Sequence, residues 1–295
     1  MATRRNPAEL KPYQDALVIS ERRAKADPSN VQVQRDLFIS YNKFGDAAFQ
    51  QGDGPAALKA YRDALVVAAR LAKADQSNTQ AQHDLWMSYY KVGVALSAQY
   101  DAPAALKAYQ DGLAISERLV KADPSNTQAQ RDLWNSYYKV GTFLLEQEGD
   151  APAALKAYQD GLVIAERLAK ADPSNAEVQE YLSASYEVIG KVLLQQGNAL
   201  GALKAYQNAP PIRERLAKAD PSNVDAQVDV IASHLELGTI FFHTGDKIVA
   251  IKQLEMAEAM LVSLFGRAGD KIHDGDALLV LLRVIRESLA VFRLQ

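Results

Sequence analysis

The sequence predicts an all-α protein built as a solenoid, in which antiparallel helix pairs stack side by side. The first observation is a repeated four-residue segment, Asp-Pro-Ser-Asn or once Asp-Gln-Ser-Asn, which begins at Asp27, Asp75, Asp123, Asp172 and Asp220. The second is that successive copies start 48 or 49 residues apart. The third is helical apolar spacing in the stretch before each copy. A fixed period of this size is typical of a repeat array, so the 295 residues are expected to form one elongated domain.

Composition limits the classes of function that the chain can have. Hydrophobic residues make up 48% and charged residues 23%, as in an ordinary soluble protein. The net charge of −3 gives no overall attraction to nucleic acid or anionic lipid. No cysteine is present, which excludes disulfides and thiolate chemistry. Neither a secretory signal nor a long uncharged apolar run occurs, so we expect a cytoplasmic protein without nucleic-acid or membrane partners.

The first predicted element, residues 1–28, is a half repeat with a single helix. Leu10, Tyr13 and Leu17 follow helical spacing, and the segment matches the second half of the later units. Its partner helix is missing. We expect that a preceding segment has been removed or that something else covers this face.

Five repeats of two amphipathic helices follow in residues 29–265. In the first repeat, a turn at residues 52–54 separates an apolar stripe containing Tyr41 from a facing stripe containing Tyr61. A proline begins the second helix in three repeats, at Pro55, Pro103 and Pro152. The first turn of a helix tolerates proline because no amide hydrogen is needed there.

A capping box is predicted at the start of the first helix in four of the five repeats, and Ser222 with Asp225 is a shorter variant in the fifth. The serine and the glutamine or glutamate three residues later are Ser29 and Gln32, Ser77 and Gln80, Ser125 and Gln128, and Ser174 and Glu177. In this motif the serine side chain accepts a hydrogen bond from a helix amide. We therefore expect serine to be the N-cap residue.

The fourth repeat contains Pro210-Pro211 where the first repeat has Leu65-Val66. A proline inside a helix costs about 3 kcal/mol or more, so the helix is expected to stop here and a new one to start at Pro211. A static bend and a hinge are both compatible with this break.

The last predicted segment, residues 266–295, is a loop followed by an apolar helix that starts near Asp276. The apolar arc of this helix, from Leu278 to Phe292, is wide for a capping helix. The helix either seals the end of the array or packs in part against a second chain or a missing domain.

The residue pattern within each repeat resembles the tetratricopeptide repeat family. In the first repeat it reads Tyr41-x2-Phe44-Gly45-x2-Ala48 and then Ala57-x3-Tyr61, and it recurs around Gly93, Gly141, Gly190 and Gly238. Glycine and alanine in these positions allow two helices to approach closely. The resemblance implies a right-handed superhelix, lengthened here because the family's usual repeat has about 34 residues.

The resemblance also implies a function, since the family binds proteins or peptides in a concave groove lined by the first helices. The corresponding residues are Arg35, Asn42, Lys43, His83, Met87, Tyr90, Lys91, Arg131, Asn135, Tyr138, Lys139, Glu187 and Phe242. Lys43, Lys91 and Lys139 recur in phase, which favours an extended partner with an acidic segment at the first three repeats.

Catalytic and metal-binding motifs are not found in the sequence. The four histidines include no pair at the spacing that places two ligands on one helical face, and no phosphate-binding glycine loop or nucleophile elbow occurs. We expect a non-enzymatic scaffold with no catalytic or metal-binding residues and no cofactor. Two alternatives stay open: a structural module that self-associates through its terminal helices, and a peptide or small-ligand sensor domain of a larger signalling protein.

Overall fold

The computed structural model describes residues 7–268 and 275–294, with side chains for residues 9–266 and 277–294. The regular structure of these residues is helical throughout, as the sequence predicts. The helices are α1 (Pro7–Ala26), α2 (Val31–Gln50), α3 (Gly54–Ala74), α4 (Thr79–Ala98), α5 (Ala102–Ala122), α6 (Thr127–Glu146), α7 (Ala151–Ala171), α8 (Ala176–Gln195), α9 (Ala199–Tyr206), α10 (Ala209–Ala219), α11 (Val224–His243), α12 (Lys247–Ala268) and α13 (Gly275–Leu294). Most of the loop predicted before α13 lies outside the described residues.

The chain divides into two compact units, residues 1–150 and residues 151–295. In unit 1, each helix from α1 to α5 packs on the next one along the chain. In unit 2, α7 packs on α8, α8 on α9 and α10, α11 on α9, α10 and α12, and α12 on α13. Packing between sequence neighbours is the arrangement of stacked helix pairs, which confirms the predicted fold class.

The first and second helices of a repeat, here called A and B helices, approach closely because glycine lies between them. A Cβ atom added at Gly45 of α2 would lie 2.5 Å from Cε1 of Tyr61 on α3. The same contact joins Gly93 to Tyr109 and Gly190 to Tyr206. These tyrosine rings are buried and fill the space that the glycines leave.

The start of each A helix corrects the predicted capping box. The N-cap is asparagine, because Asn30 Oδ1 accepts a hydrogen bond from the Val33 amide at 3.2 Å. Equivalent bonds place Asn78, Asn126, Asn175 and Asn223 at the other N-caps. Asparagine is as good an N-cap as serine, so the predicted helix starts are wrong by one residue.

The serines of the predicted boxes are engaged by the preceding aspartate. The amide and the hydroxyl of Ser77 both donate to Asp75 Oδ1, at 3.0 and 2.6 Å. This turn leaves the next residue, Asn78, to cap the helix. Gln80 does not close the box either, because its Nε2 donates forward to Asp84 Oδ1 at 2.8 Å.

The B helices start as predicted. Pro55 and Pro103 occupy the first turns of α3 and α5. The predicted break in the fourth repeat is also present, since α9 ends at Tyr206 and α10 begins at Ala209. The new helix starts two residues earlier than the predicted start at Pro211. Both prolines lie in its first turn, where a helix needs no amide hydrogen.

None of the described helices combines the length and the apolar character that crossing a bilayer requires.

Candidate functional site

The A helices of unit 1, α2, α4 and α6, are joined by ion pairs one repeat apart. Arg35 Nε on α2 donates to Asp84 Oδ2 on α4 at 3.1 Å. One repeat further, His83 Nδ1 lies 2.6 Å from Asp132 Oδ2 on α6. Both carboxylates are buried. Arg35 and His83, predicted as partner ligands, therefore link neighbouring repeats.

The carboxylate beside His83 changes the acidity of its imidazole. The hydrogen bond to Asp132 raises the pKa of His83 above its ordinary value, against the opposing effect of burial. His83 and Asp132 border an open cleft of about 270 Å³, whose other lining residues are Thr79, Gln80, Leu119, Asn126, Gln128 and Ala129. The cleft is smaller than typical small-molecule sites, which have volumes of about 300–1,000 Å³. Among the residues whose side chains are described, no cluster of three His, Asp or Glu groups could hold a metal ion.

Lys91 is neutralised within unit 1. Its Nζ lies 2.5 Å from Asp46 Oδ1 on α2, and 5.4 Å from the centroid of the Tyr61 ring. Tyr61 donates its hydroxyl to the same oxygen at 2.7 Å. Burial, followed by this hydrogen bond, raises the pKa of Tyr61. Lys91 thus stabilises the contact between the first and second repeats rather than offering a free cation.

Lys43 and Lys139, the other lysines of the in-phase series, have different surroundings. Lys43 is exposed on α2. Lys139 Nζ lies 5.7 Å from the centroid of the Tyr90 ring, one repeat earlier. Neither lysine belongs to an ion pair within the described part of the chain. Two cations with no neutralising carboxylate therefore remain on this side of unit 1.

Aromatic stacks hold the tyrosines of this side in place. Trp86 stacks between His83 and Tyr90, with ring centroids 5.4 and 5.9 Å away. Trp134 stacks on Tyr138 at 5.2 Å. The tryptophans are buried and the tyrosines half-buried, so each tyrosine is held by a tryptophan and stays partly accessible to solvent. We call Lys43, Met87, Tyr90, Tyr138 and Lys139 the A-helix surface.

Three further predicted residues contribute to α2 and α6 themselves. Asn42 is buried and donates to the Phe38 carbonyl at 3.0 Å, so it does not lie on the surface. Asn135 is half-buried and donates in the same way to the carbonyl of Arg131 at 3.0 Å. Arg131 is itself half-buried.

The two predicted residues of unit 2 are occupied by their own unit. Glu187 on α8 accepts hydrogen bonds from both terminal nitrogens of Arg213 on α10. The Phe242 ring lies parallel to that of Phe292 on α13, with centroids 3.8 Å apart and an angle of 4°. Both side chains contribute to packing between helices of unit 2.

Sequence reasoning missed a half-buried charge cluster around Arg213. Its guanidinium also donates to Ser233 Oγ at 2.7 Å on α11. Burial and the nearby Glu187 carboxylate raise the pKa of Glu236 to about 7. The equivalent positions in the earlier repeats carry small residues, namely Ala68, Ser116 and Ala165. An arginine at a small-residue position is the sequence signal that could have revealed this cluster.

Comparison with known proteins supports the predicted family resemblance. Residues 87–126, which span most of α4 and all of α5, match the family model of the tetratricopeptide repeat. Over these residues the chain matches a tetratricopeptide repeat. No curated protein matches its sequence.

Solved structures share the tetratricopeptide-like fold at low sequence identity. The crystal structure of BtubC from P. vanneervenii has a TM-score of 0.67 and 17% identity, over 88% of this chain and 92% of that one. RapI in its apo form has a TM-score of 0.55 and 12% identity, over 86% and 83% of the two chains. The yeast histone chaperone Hif1, described as a scaffold recruiting protein complexes to core histones, has a TM-score of 0.54 and 12% identity, over 74% and 98%. At these identities the likeness is one of fold.

Proposed function

We propose that this tetratricopeptide-like chain is a non-enzymatic scaffold that binds an extended, carboxylate-bearing protein segment along the A-helix surface of unit 1. The proposal rests on one observation: Lys43 and Lys139 have no carboxylate partner among the described residues, and the half-buried Tyr90 ring lies 5.7 Å from Lys139 Nζ. Ammonium groups bind carboxylates through charge-assisted hydrogen bonds, and tyrosines supply contact area at low entropic cost. The segment itself would carry aspartate or glutamate at a spacing that matches Lys43 and Lys139, which are two repeats apart. A concave groove across all five repeats stays a prediction.

Contacts beneath the surface prepare it for binding. The ion pairs of Arg35 with Asp84 and of His83 with Asp132 fix α2, α4 and α6 against each other. The Trp86 indole donates to Ser136 Oγ at 2.7 Å and so holds its stack in one orientation. A surface that is already rigid loses little conformational entropy when a partner binds, which favours affinity.

The test is selection of random linear peptides on the purified chain, followed by measurement of Kd for the enriched peptides by fluorescence anisotropy. We expect enrichment of acidic peptides, and affinity that weakens as salt concentration rises. Lys139→Glu should weaken binding about tenfold or more, which corresponds to ~1.4 kcal/mol.

The matched control is Lys107→Glu on α5, where the lysine is exposed and pairs with Asp111 on its own helix. This variant should bind as the wild type does. Peptides without acidic residues, or equal loss of affinity in the two variants, would contradict the proposal.

A further inference from the structure

In unit 1, one carboxylate of the chain lies between two hydrogen-bond donors from neighbouring repeats. Asp46 Oδ1 on α2 accepts a hydrogen bond from the Tyr61 hydroxyl at 2.7 Å. Lys91 Nζ on α4 lies 2.5 Å from the same oxygen. The Asp46 side chain is 45% exposed, so the place of its carboxylate is open to solvent. A tyrosine of one B helix and a lysine of the next A helix therefore form a carboxylate site.

The same two donors recur one repeat later. Tyr109 on α5 is the equivalent of Tyr61, 48 residues further along the chain. Lys139 on α6 is the equivalent of Lys91 at the same spacing, and both lysines are half-buried. The two tyrosine rings lie alike against their A helices, since a Cβ atom added at Gly93 would be 2.6 Å from Tyr109 Cε1 and the matching distance in the first repeat is 2.5 Å. The contact between the second and third repeats thus contains both donors of the carboxylate site.

The acceptor is missing from this second contact, because Val94 occupies the repeat position of Asp46. Tyr109 is only 8% exposed. Its hydroxyl has no hydrogen-bond partner, and Lys139 has no carboxylate partner, within the described part of the chain. Burial raises the pKa of Tyr109 to about 12, so the hydroxyl keeps its proton and can donate it. A buried donor without a partner is unfavourable, so an acceptor that reaches it gains affinity.

We propose that a carboxylate of the bound segment lies beside Val94 and accepts hydrogen bonds from Tyr109 Oη and Lys139 Nζ, in the role that Asp46 has one repeat earlier. This inference rests on the proposed function and assigns one ligand group to a defined place on the A-helix surface. The Tyr90 ring forms a wall of the site, because its centroid is 5.7 Å from Lys139 Nζ and 6.3 Å from the centroid of Tyr109. The carboxylate belongs either to an aspartate or glutamate side chain or to the C-terminus of the segment.

The first test measures the Kd of the enriched acidic peptides for Tyr109→Phe by fluorescence anisotropy. This change removes the hydroxyl and keeps the ring that packs against Gly93, so the helical circular dichroism spectrum should stay that of the wild type. The Kd should rise about tenfold, because a hydrogen bond to a charged group is lost. The matched control is Tyr61→Phe, which removes the same hydroxyl where Asp46 already fills the site, and its Kd should equal that of the wild type.

The second test fills the site from within the chain and needs no ligand. Val94→Asp supplies the carboxylate that Asp46 supplies in the first repeat, so its urea midpoint at neutral pH should exceed that of the neutral, equally large Val94→Asn. The difference should disappear when Tyr109→Phe and Lys139→Met are added to both variants. Equal midpoints of Val94→Asp and Val94→Asn would show that the two donors do not converge on this place and would overturn the proposal, whether or not any peptide binds.

Peptide binding to Val94→Asp separates this inference from the proposed function. The introduced aspartate should compete for the site, so acidic peptides should bind this variant at least tenfold more weakly than Val94→Asn. If Lys139→Glu weakens binding while Val94→Asp and Tyr109→Phe bind as the wild type does, the carboxylate site is wrong and the proposed function stands. Peptides amidated at the C-terminus identify the source of the carboxylate, because amidation should raise the Kd only when the terminal carboxylate occupies the site.

Discussion

Single residues that depart from the repeat pattern determine how this chain responds to pH. Glu236 is a half-buried acid whose pKa is raised from 4.5 to about 7, with its removal from solvent as the main cause. As the pH rises through this range, the unfolded chain releases the proton that the folded chain still holds. The free energy of unfolding of unit 2 should therefore fall between about pH 4.5 and about pH 7, by roughly 3 kcal/mol in total.

Replacing Glu236 with glutamine should remove most of this loss. The neutral amide keeps the shape of the protonated acid and cannot ionise, so Glu236→Gln should raise the urea midpoint near pH 8 and change it little near pH 4. Urea denaturation of the full chain at both pH values checks this. Glu180→Gln, at an exposed glutamate of α8, is the control and should leave the pH dependence intact.

His83 gives unit 1 a pH dependence of its own. Its pKa is raised by the Asp132 carboxylate, so the ion pair stabilises the folded chain fully below the ordinary histidine pKa of about 6.5. This stabilisation is lost as the pH rises through the folded-state value. His83→Arg should keep the pair at alkaline pH, because Arg35 and Asp84 form the same contact one repeat earlier.

The check is hydrogen exchange at the backbone amides of α4 and α6 on both sides of neutral pH. Wild-type protection should fall more steeply with pH than protection in His83→Arg, once intrinsic exchange rates are divided out. Identical pH profiles for the two proteins would show that the His83–Asp132 contact does not stabilise the folded state.

At the scale of the element, the helix starts depend on asparagine. Asn78 and Asn126 accept hydrogen bonds from the amides of Ala81 and Ala129, each at 3.0 Å. Asn78→Ala should therefore destabilise the chain by about 1 kcal/mol. Ser77→Ala should cost less, because Ser77 bonds only to an exposed aspartate in the turn. Urea denaturation midpoints of the two variants distinguish the two caps. A larger loss of stability in Ser77→Ala would show that serine, and not asparagine, caps the helix.

The elements show which features the sequence could and could not predict. Helix pairs follow from periodicity, and the break near Pro210 follows from the missing amide hydrogen, so both are local. The neutralisation of Lys91 by Asp46 is different, because it depends on how two A helices align across a repeat. Likewise, the sequence pattern predicts that Phe242 lies on the surface, whereas in the structure Phe292 of α13 stacks on its ring. Local patterns therefore predict the helices, whereas the surroundings of each candidate-site residue emerge only from the packing.

At the scale of the whole molecule, packing between neighbours makes the array tolerant of lost repeats. Deletion of residues 76–123 joins Asp75 to Pro124 and regenerates the Asp-Pro-Ser-Asn turn. Arg35 would then meet Asp132, and Lys139 would meet Asp46, in the roles of Asp84 and Lys91. We expect a folded protein with unchanged helical circular dichroism per residue and cooperative thermal unfolding.

The control for this deletion removes residues 66–111, so that Leu65 is joined to Gly112 and the fused second helix contains two extra residues. Two extra residues rotate the apolar face of a helix by more than half a turn, so this variant should unfold at a lower temperature. Equal stability of the two deletions would show that the period does not govern how repeats pack.

The stacking of Trp86 against His83 and Tyr90 also gives the molecule an optical property. The chain has two tryptophans, and both lie beneath the A-helix surface, so its indole fluorescence originates from the candidate site alone. A protonated imidazole quenches an adjacent indole, and the rings of Trp86 and His83 are 5.4 Å apart. Emission should dim on acidification and change in intensity when a ligand contacts the half-buried tyrosines that stack on the indoles, so the unlabelled protein can report its own occupancy.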